Sequence, residues 1–141
     1  IGQENDRLLE ATRKSVLALL GAQDRDALCR LWTEQLRDTF QAETGTLVWM
    51  DSDSEVVSIA RKLIRAGVSF SGVLRPQEMA VLFNTEAVEG SGALSPVRAA
   101  EEIIGVLAVG SHDSQRYKPE DGTLFLDYLA EVIGQLPSSQ A

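Results

Sequence analysis

The sequence predicts an α+β domain in which helices from both chain ends cover one face of an antiparallel sheet. Three observations lead to this prediction. Apolar residues recur at helical spacing near both ends, runs of strand-forming residues lie between them, and turn residues separate two of those runs as in a hairpin. A chain of 141 residues has the size of one domain with a single packed core.

Two helices are expected before the first strand. The first covers about residues 3–20, where Leu9, Val16 and Leu20 recur near helical spacing and Gly21 supplies a stop. The second follows Asp24, a suitable N-cap, and carries an apolar stripe that must face another part of the fold. The residues that step by three or four along it are Leu28, Leu31, Trp32, Gln35, Leu36, Thr39 and Phe40.

The middle of the chain is the least regular part. Residues 44–50 are rich in strand formers and predict the first strand. Residues 56–60 are compatible with a strand, the next few residues fit either state, and Pro76 suits the first turn of a short helix that reaches Phe83. Two further strands and one short helix are therefore expected here.

The C-terminal part predicts a hairpin followed by a helix. The strands cover residues 93–97 and 103–111, and Gly105 inside the second is expected to make room for a neighbouring helix or a bulge. A strongly amphipathic helix follows from Leu124 to Leu136. The predicted division is residues 1–22 as a linker or dimerisation helix, 23–137 as the main domain and 138–141 as a frayed tail.

Composition excludes several classes of protein. A net charge of −8 and a pI near 4.6 argue against binding to nucleic acid or to an anionic membrane. Cys29 and His112 are the only residues of their types, so neither an internal disulfide nor a Cys/His zinc site is expected. The chain has no long apolar run and no signal peptide at its start, which predicts a cytoplasmic protein without a membrane partner. No cofactor is expected. Its one cluster of positive charge, interpreted as the solvated side of an element, is Arg61, Lys62 and Arg65.

Two short motifs have the start of a functional pattern but not the rest. Asp51 and Asp53 have the spacing of a phosphotransferase or calcium-loop motif, yet the residues that follow do not fit either. Residues 90–95 begin like a dinucleotide-binding loop, but Pro96 continues a strand where that loop needs a helix. Solvated turns are the favoured interpretation of both.

His112 and Cys29 have possible catalytic roles. His112 next to Asp113, with Ser111 and Ser114 nearby, supplies the atoms of a hydrolase triad, but adjacent residues point in different directions. Cys29 lies beside the apolar stripe of the second helix and is interpreted as a small buried residue rather than a nucleophile. Neither is expected to make the chain an enzyme.

From Ser91 onward, several features occur in a characteristic order. They are Ser91, Pro96 and Val97, then IIGVLAVGS, then Tyr117, then Glu120 and Asp121, then Leu124, Leu129 and Ala130. This order resembles the C-terminal half of a GAF domain. More narrowly, the segment GVLAVGSHDSQRYKPEDGTLFLDYLAEVIGQL is similar to the bacterial DUF484 family.

The resemblance implies a six-stranded antiparallel sheet with the terminal helices on one face, where they commonly form a dimer interface. In GAF domains the other face holds a small molecule such as a cyclic nucleotide, a tetrapyrrole or an amino acid. A covalently bound bilin is excluded, because Cys29 lies on a helix before the first strand. Residues 56–89 depart from the GAF pattern and are short for a full pocket cover.

A ligand cleft is expected under the middle segment, between it and the sheet. A pocket needs an aromatic wall and a few convergent polar groups. The predicted ligand-binding residues are Trp49 on the first strand, Arg75 and Phe83 in the middle segment, and Arg98 at the hairpin.

Two hypotheses of function follow. The first is a non-catalytic sensory or regulatory module, a homodimer that binds an unidentified small molecule and changes the packing of its terminal helices. The alternative is a protein-interaction or dimerisation module with a vestigial pocket. An enzyme is not expected, since redox chemistry of the kind that some GAF folds perform needs several cysteines.

Overall fold

The computed structural model describes residues 2–36, 41–121 and 123–140. Within these ranges the chain forms five α-helices and four β-strands, and Leu31–Leu36 continue the second helix as a π-helical segment. The helices are α1 (Gly2–Leu20), α2 (Arg25–Arg30), α3 (Glu55–Leu63), α4 (Pro76–Phe83) and α5 (Leu124–Gln135). The strands are β1 (Thr44–Trp49), β2 (Phe70–Leu74), β3 (Gly90–Ala99) and β4 (Glu102–Ser111).

The four strands form one antiparallel sheet in the order β1-β4-β3-β2. The predicted α+β class is therefore confirmed, although this sheet has four strands and the GAF resemblance implies six. The predicted hairpin is β3 and β4. Its two turn residues, Ala100 and Glu101, both have positive φ, as a tight two-residue turn between twisted strands requires.

Helices cover both faces of the sheet. On one face α2, its π-helical extension and α5 pack against the sheet, and α1 packs mainly on α5. On the other face α3 and α4 cover the sheet through a second apolar cluster. Helices from both chain ends thus share one face, as the sequence predicts, and the middle segment covers the other.

The start of the second helix is as predicted. Asp24 is its N-cap, and the Asp24 carboxylate accepts a hydrogen bond of 2.9 Å from the Ala27 amide. Leu28 and Trp32 of the apolar stripe are buried against the sheet. Two stripe residues, Thr39 and Phe40, lie outside the described residues.

The prediction for the middle segment was wrong in one element. Residues 56–60 belong to helix α3, and only one strand, β2, lies between β1 and β3 instead of two. Val57, Ala60 and Ile64 are all buried, and their spacing of three and four residues places them on one side of a helix. Packing of this side on the sheet overrides the strand preference of the two adjacent valines.

Gly105 makes room for an aromatic ring instead of a helix. It pairs with Trp49 across β1 and β4, and a Cβ atom at Gly105 would lie 3.1 Å from Trp49 Cε3 and 3.0 Å from the Val48 carbonyl oxygen. An irregularity of register between Val97 and Arg98 lies beside it, which agrees with the expected bulge.

The C-terminal tail is packed as far as the structure describes it. Residues Pro137–Gln140 form a 3₁₀ turn in which Ser138 and Ser139 are buried. The Arg25 guanidinium donates a hydrogen bond of 2.7 Å to the Ser139 carbonyl oxygen. This long-range bond connects the predicted tail, residues 138–141, to the start of α2, and Ala141 lies outside the described residues.

In the ranges described, none of the helices has the length and apolar character that crossing a bilayer requires.

Candidate functional site

The space between the sheet and the middle segment, where a ligand cleft was expected, is filled by side chains. The Phe83 ring occupies the volume beside Gly110, where a Cβ atom would come within 2.4 Å of it. Met79 fills the corresponding space beside Gly90. The buried residues of this cluster are Ala60, Ile64, Leu74, Met79, Leu82, Phe83, Leu94, Val106 and Ala108.

The four predicted ligand-binding residues do not converge on one site. Trp49 lies on the opposite face of the sheet from the middle segment, and the Arg25 guanidinium stacks 4.4 Å from its ring centroid. Phe83 is part of the packed core. Arg75 and Arg98 are exposed, but they line two different cavities. The predicted single pocket is therefore replaced by separate surfaces.

Arg75 lines a groove, here named the middle groove, between α3, β2 and the start of α4. Its volume is about 710 Å³, within the range of small-molecule sites. Three cations line it, Lys62, Arg65 and Arg75, and they come from α3, the turn after it and the residue before α4. The remaining lining residues are Glu55, Ser58, Ile59, Leu63, Phe70, Gln77 and Glu78.

The two carboxylates of the middle groove already have partners. Glu78 Oε1 accepts a hydrogen bond of 2.8 Å from the Arg75 backbone amide, which caps α4. Glu55 Oε2 accepts one of 3.1 Å from the Gln77 side-chain amide. Each of these two carboxylates accepts its hydrogen bond from an uncharged amide, and among the residues described no salt bridge joins either of them to one of the three cations.

Arg98 lines a second, polar cavity of about 550 Å³ near the C-terminal end of β3. Its Nη2 donates a hydrogen bond of 2.8 Å to the carbonyl oxygen of Gly67, which has a left-handed φ of 70°. A Cβ atom on Gly67 would lie 2.4 Å from that nitrogen. Arg98 therefore stabilises the turn between α3 and β2.

Asp127 of α5 forms the floor of the same cavity. Its Oδ1 accepts hydrogen bonds from Ser69 Oγ at 2.6 Å and Ser95 Oγ at 2.7 Å, and its Oδ2 accepts one from Thr123 Oγ1 at 2.8 Å. Ser95 is almost completely buried. These bonds join α5 to the sheet and satisfy polar groups that would otherwise be costly to bury.

A third concave surface, here named the terminal groove, lies between α1 and α5. It has a volume of about 490 Å³ and an almost entirely apolar lining. Leu17 of α1 and Leu124 of α5 are 57% and 79% exposed beside it. The lining residues are Leu9, Thr12, Arg13, Val16, Leu17, Leu124, Phe125 and Tyr128.

Helix α1 presents Leu9, Leu17 and Leu20 to solvent, and Leu9 and Leu17 also line this groove. Among the side chains of α1 that the structure describes, the buried ones are Ala11, Thr12, Ser15 and Leu19. The predicted stripe of Leu9, Val16 and Leu20 is centred roughly 100° around the helix from that buried side, and Leu9 and Leu20 are exposed. Val16 of the stripe packs on the core cluster, whereas Leu9 and Leu20 face away from the core of their own chain.

His112 has a carboxylate partner that the sequence did not indicate. Its Nδ1 lies 2.5 Å from Glu43 Oε2, and its backbone amide donates to Glu43 Oε1 at 3.0 Å. His112 Nε2 lies 3.3 Å from Thr85 Oγ1. The hydrogen bond from the His112 backbone is the main reason that the pKa of Glu43 is lowered. Asp113, the partner considered from sequence, instead accepts from the Gln115 amide.

Cys29 is partly buried against β1. The indole nitrogen of Trp49 donates to its sulfur over 3.3 Å, and the sulfur lies 3.5 Å from the Leu47 carbonyl oxygen. Burial raises the pKa of the thiol. The thiol therefore remains protonated at neutral pH, which does not favour a nucleophilic role.

Comparison with known proteins agrees with the family resemblance in the sequence. A search of curated proteins gives no match. A family model described as "Protein of unknown function, DUF484" matches residues 1–138. Because this match covers nearly the whole chain, the chain belongs to the DUF484 family.

Proposed function

We propose that this chain is a non-catalytic, GAF-like interaction module that works as a homodimer, with a second copy of the chain on the terminal groove. The observation that carries the proposal is the orientation of α1. This helix packs on α5 and, among its described side chains, buries Ala11, Thr12, Ser15 and Leu19 while leaving Leu9, Leu17 and Leu20 exposed. Large apolar side chains clustered on one surface are typical of an interface.

The charges of α1 favour a second copy of the same chain as the occupant. Residues 2–10 contain three acidic and one basic side chain, whereas residues 11–20 contain two basic and no acidic side chains. Arg13 already forms a salt bridge of 3.0 Å with Glu10 of its own helix, and two α1 helices related by a two-fold axis and running antiparallel would place Lys14 of each next to the acidic half of the other. A homodimer therefore combines apolar burial with complementary charge.

The GAF-like assignment is supported by the arrangement of layers. An antiparallel sheet carries helices from both chain ends on one face and the middle segment on the other. With the space under the middle segment filled, the terminal helices are the surface best suited to function. Cytoplasmic location is part of the proposal and rests on the sequence.

Small-molecule sensing is the second candidate function, and the middle groove is the observation that favours it. A ligand there would contact α3, β2 and α4 on the far side of the sheet from the terminal helices. Sensing would then require that binding on one face changes helix packing on the other.

Sedimentation velocity over a series of protein concentrations tests the dimer. We expect a species of about twice the chain mass of 15.3 kDa that dissociates on dilution. A single monomeric species at every concentration would contradict the proposal.

A further inference from the structure

We infer that the middle groove is a binding site for a small amphipathic anion, a molecule with an apolar or aromatic body and a carboxylate or phosphate group. The inference rests on the second candidate function and is independent of the dimer. It is carried by three features of the groove: its cations, its floor and the residue that precedes α4.

The cations of the groove lack acidic partners. Lys62, Arg65 and Arg75 are exposed, and in the part of the chain that the structure describes no salt bridge holds any of them. With three cations against the two carboxylates Glu55 and Glu78, the lining has a net positive charge that an anionic group of a ligand would complement.

The floor of the groove is apolar. Ile59, Leu63 and Phe70 are half-buried, packing against the core on one side and lining the groove on the other. Contact with them would remove apolar ligand surface from water. The apolar floor and the cationic rim together favour a ligand that has both an apolar body and a negative charge. Inorganic phosphate lacks the apolar body, and a hydrocarbon lacks the charge.

Arg75 occupies a position that local structure does not favour. It is the N-cap of α4, where Ser, Thr, Asp and Asn are preferred and where the helix dipole opposes a positive charge. Its side chain cannot cap the helix, because a guanidinium has no acceptor for the first amides of α4, and the one capping bond runs from the Arg75 amide to Glu78. By contrast, Arg61 and Lys62 lie in the last turn of α3, where the dipole favours cations. Arg75 thus goes against the usual residue preference at a helix N-cap and also lines the middle groove, which indicates a role in binding.

The test is a titration of the full chain with phenyl phosphate, followed by backbone-amide chemical shifts. We expect saturable shifts of residues in α3, β2 and the start of α4. Benzyl alcohol and benzylamine, which keep the ring and remove or reverse the charge, should give much weaker shifts at the same residues, and so should inorganic phosphate.

Arg75→Gln and Lys62→Gln should each weaken phenyl phosphate binding about tenfold, the usual effect of removing a hydrogen bond to a charged group. The matched control is Arg61→Gln, which removes an adjacent exposed cation that does not line the groove. Its affinity should stay within about twofold of the parent chain.

Three results would overturn the inference: no saturable shift up to about 10 mM phenyl phosphate, equal shifts from the neutral ring, or equal weakening by Arg61→Gln. Shifts confined to α1 and α5 would place the ligand in the terminal groove and would also contradict it. If phenyl phosphate binds without changing the sedimentation of the chain, the result supports the binding site but contradicts transmission from the middle groove to the dimer. Failure of the binding site and failure of the proposed dimer can therefore be distinguished.

Discussion

Shortening one exposed leucine should weaken the proposed dimer without unfolding the chain. Leu17 is 57% exposed on α1 and lines the terminal groove. Full burial of a leucine side chain contributes about 1.5 to 3 kcal/mol, and a two-fold interface contains each residue twice. Burial of the exposed part in both copies therefore contributes about 2 to 3 kcal/mol, so Leu17→Ala should raise the dimer dissociation constant about 30- to 150-fold.

Sedimentation velocity across a dilution series measures this change directly. Alanine is a strong helix former, so the melting temperature of the monomeric chain should change little. Val88→Ala is the matched control, because Val88 is also an exposed apolar residue but lies in the loop between α4 and β3. Equal dissociation constants for the parent chain and Leu17→Ala, or equal weakening by Val88→Ala, would refute the reasoning.

Three other predictions concern the fold and its titratable groups. Gly134→Ala should lower the free energy of unfolding by about 1 to 3 kcal/mol, because the new Cβ atom would clash with the Arg98 carbonyl oxygen of β3. Gly21→Ala is the control, since its Cβ atom would meet nothing closer than 3.5 Å, and equal melting temperatures of the two variants would contradict the prediction. The pKa of Glu43 is lowered in the folded chain, so its stabilisation is present above the ordinary carboxyl pKa and is lost as the pH falls through the lowered value. Glu43→Gln should therefore destabilise the chain at neutral pH but not in acid, and a difference in melting temperature that is independent of pH would count against the bond to His112. The raised pKa of Cys29 predicts slow reaction with a thiol reagent until the chain unfolds, and a rate equal to that of free cysteine would disprove it.

Local signals predicted the parts of the fold that depend on local structure. Asp24 caps α2 through its own side chain, and the β3–β4 hairpin follows from turn residues between two apolar runs. The middle segment failed because Val56 and Val57 favour a strand when read alone. The spacing of Val57, Ala60 and Ile64 was the available signal for a helix, and only the sheet beneath them decides between the two.

The candidate sites depend on pairings that sequence spacing does not contain. Glu43 and His112 are 69 positions apart, and Asp127 meets Ser69 from 58 positions away. Trp49 lies on the face opposite the middle segment, and the sequence does not show this because alternation along a strand defines two faces without saying which helices cover each. The outward positions of Leu9 and Leu20 on α1 have the same cause, since helical spacing identifies an apolar side but not its partner.

The central claim is that two copies meet through the terminal helices, and a distance between identical labels on α1 tests it most directly. A spin label at position 14, introduced as Lys14→Cys in a Cys29→Ser background, would lie near the middle of a helix about 28 Å long. Because Lys14 is one of the cations of the proposed pairing, the dissociation constant of the labelled chain is first measured by sedimentation velocity, and the distance is measured at a concentration where the dimer forms. In an antiparallel pair of α1 helices, we expect a distance between the two labels that is shorter than this helix length. A dimer in which the labels at position 14 lie farther apart than one helix length, or no dipolar coupling at all, would contradict the account.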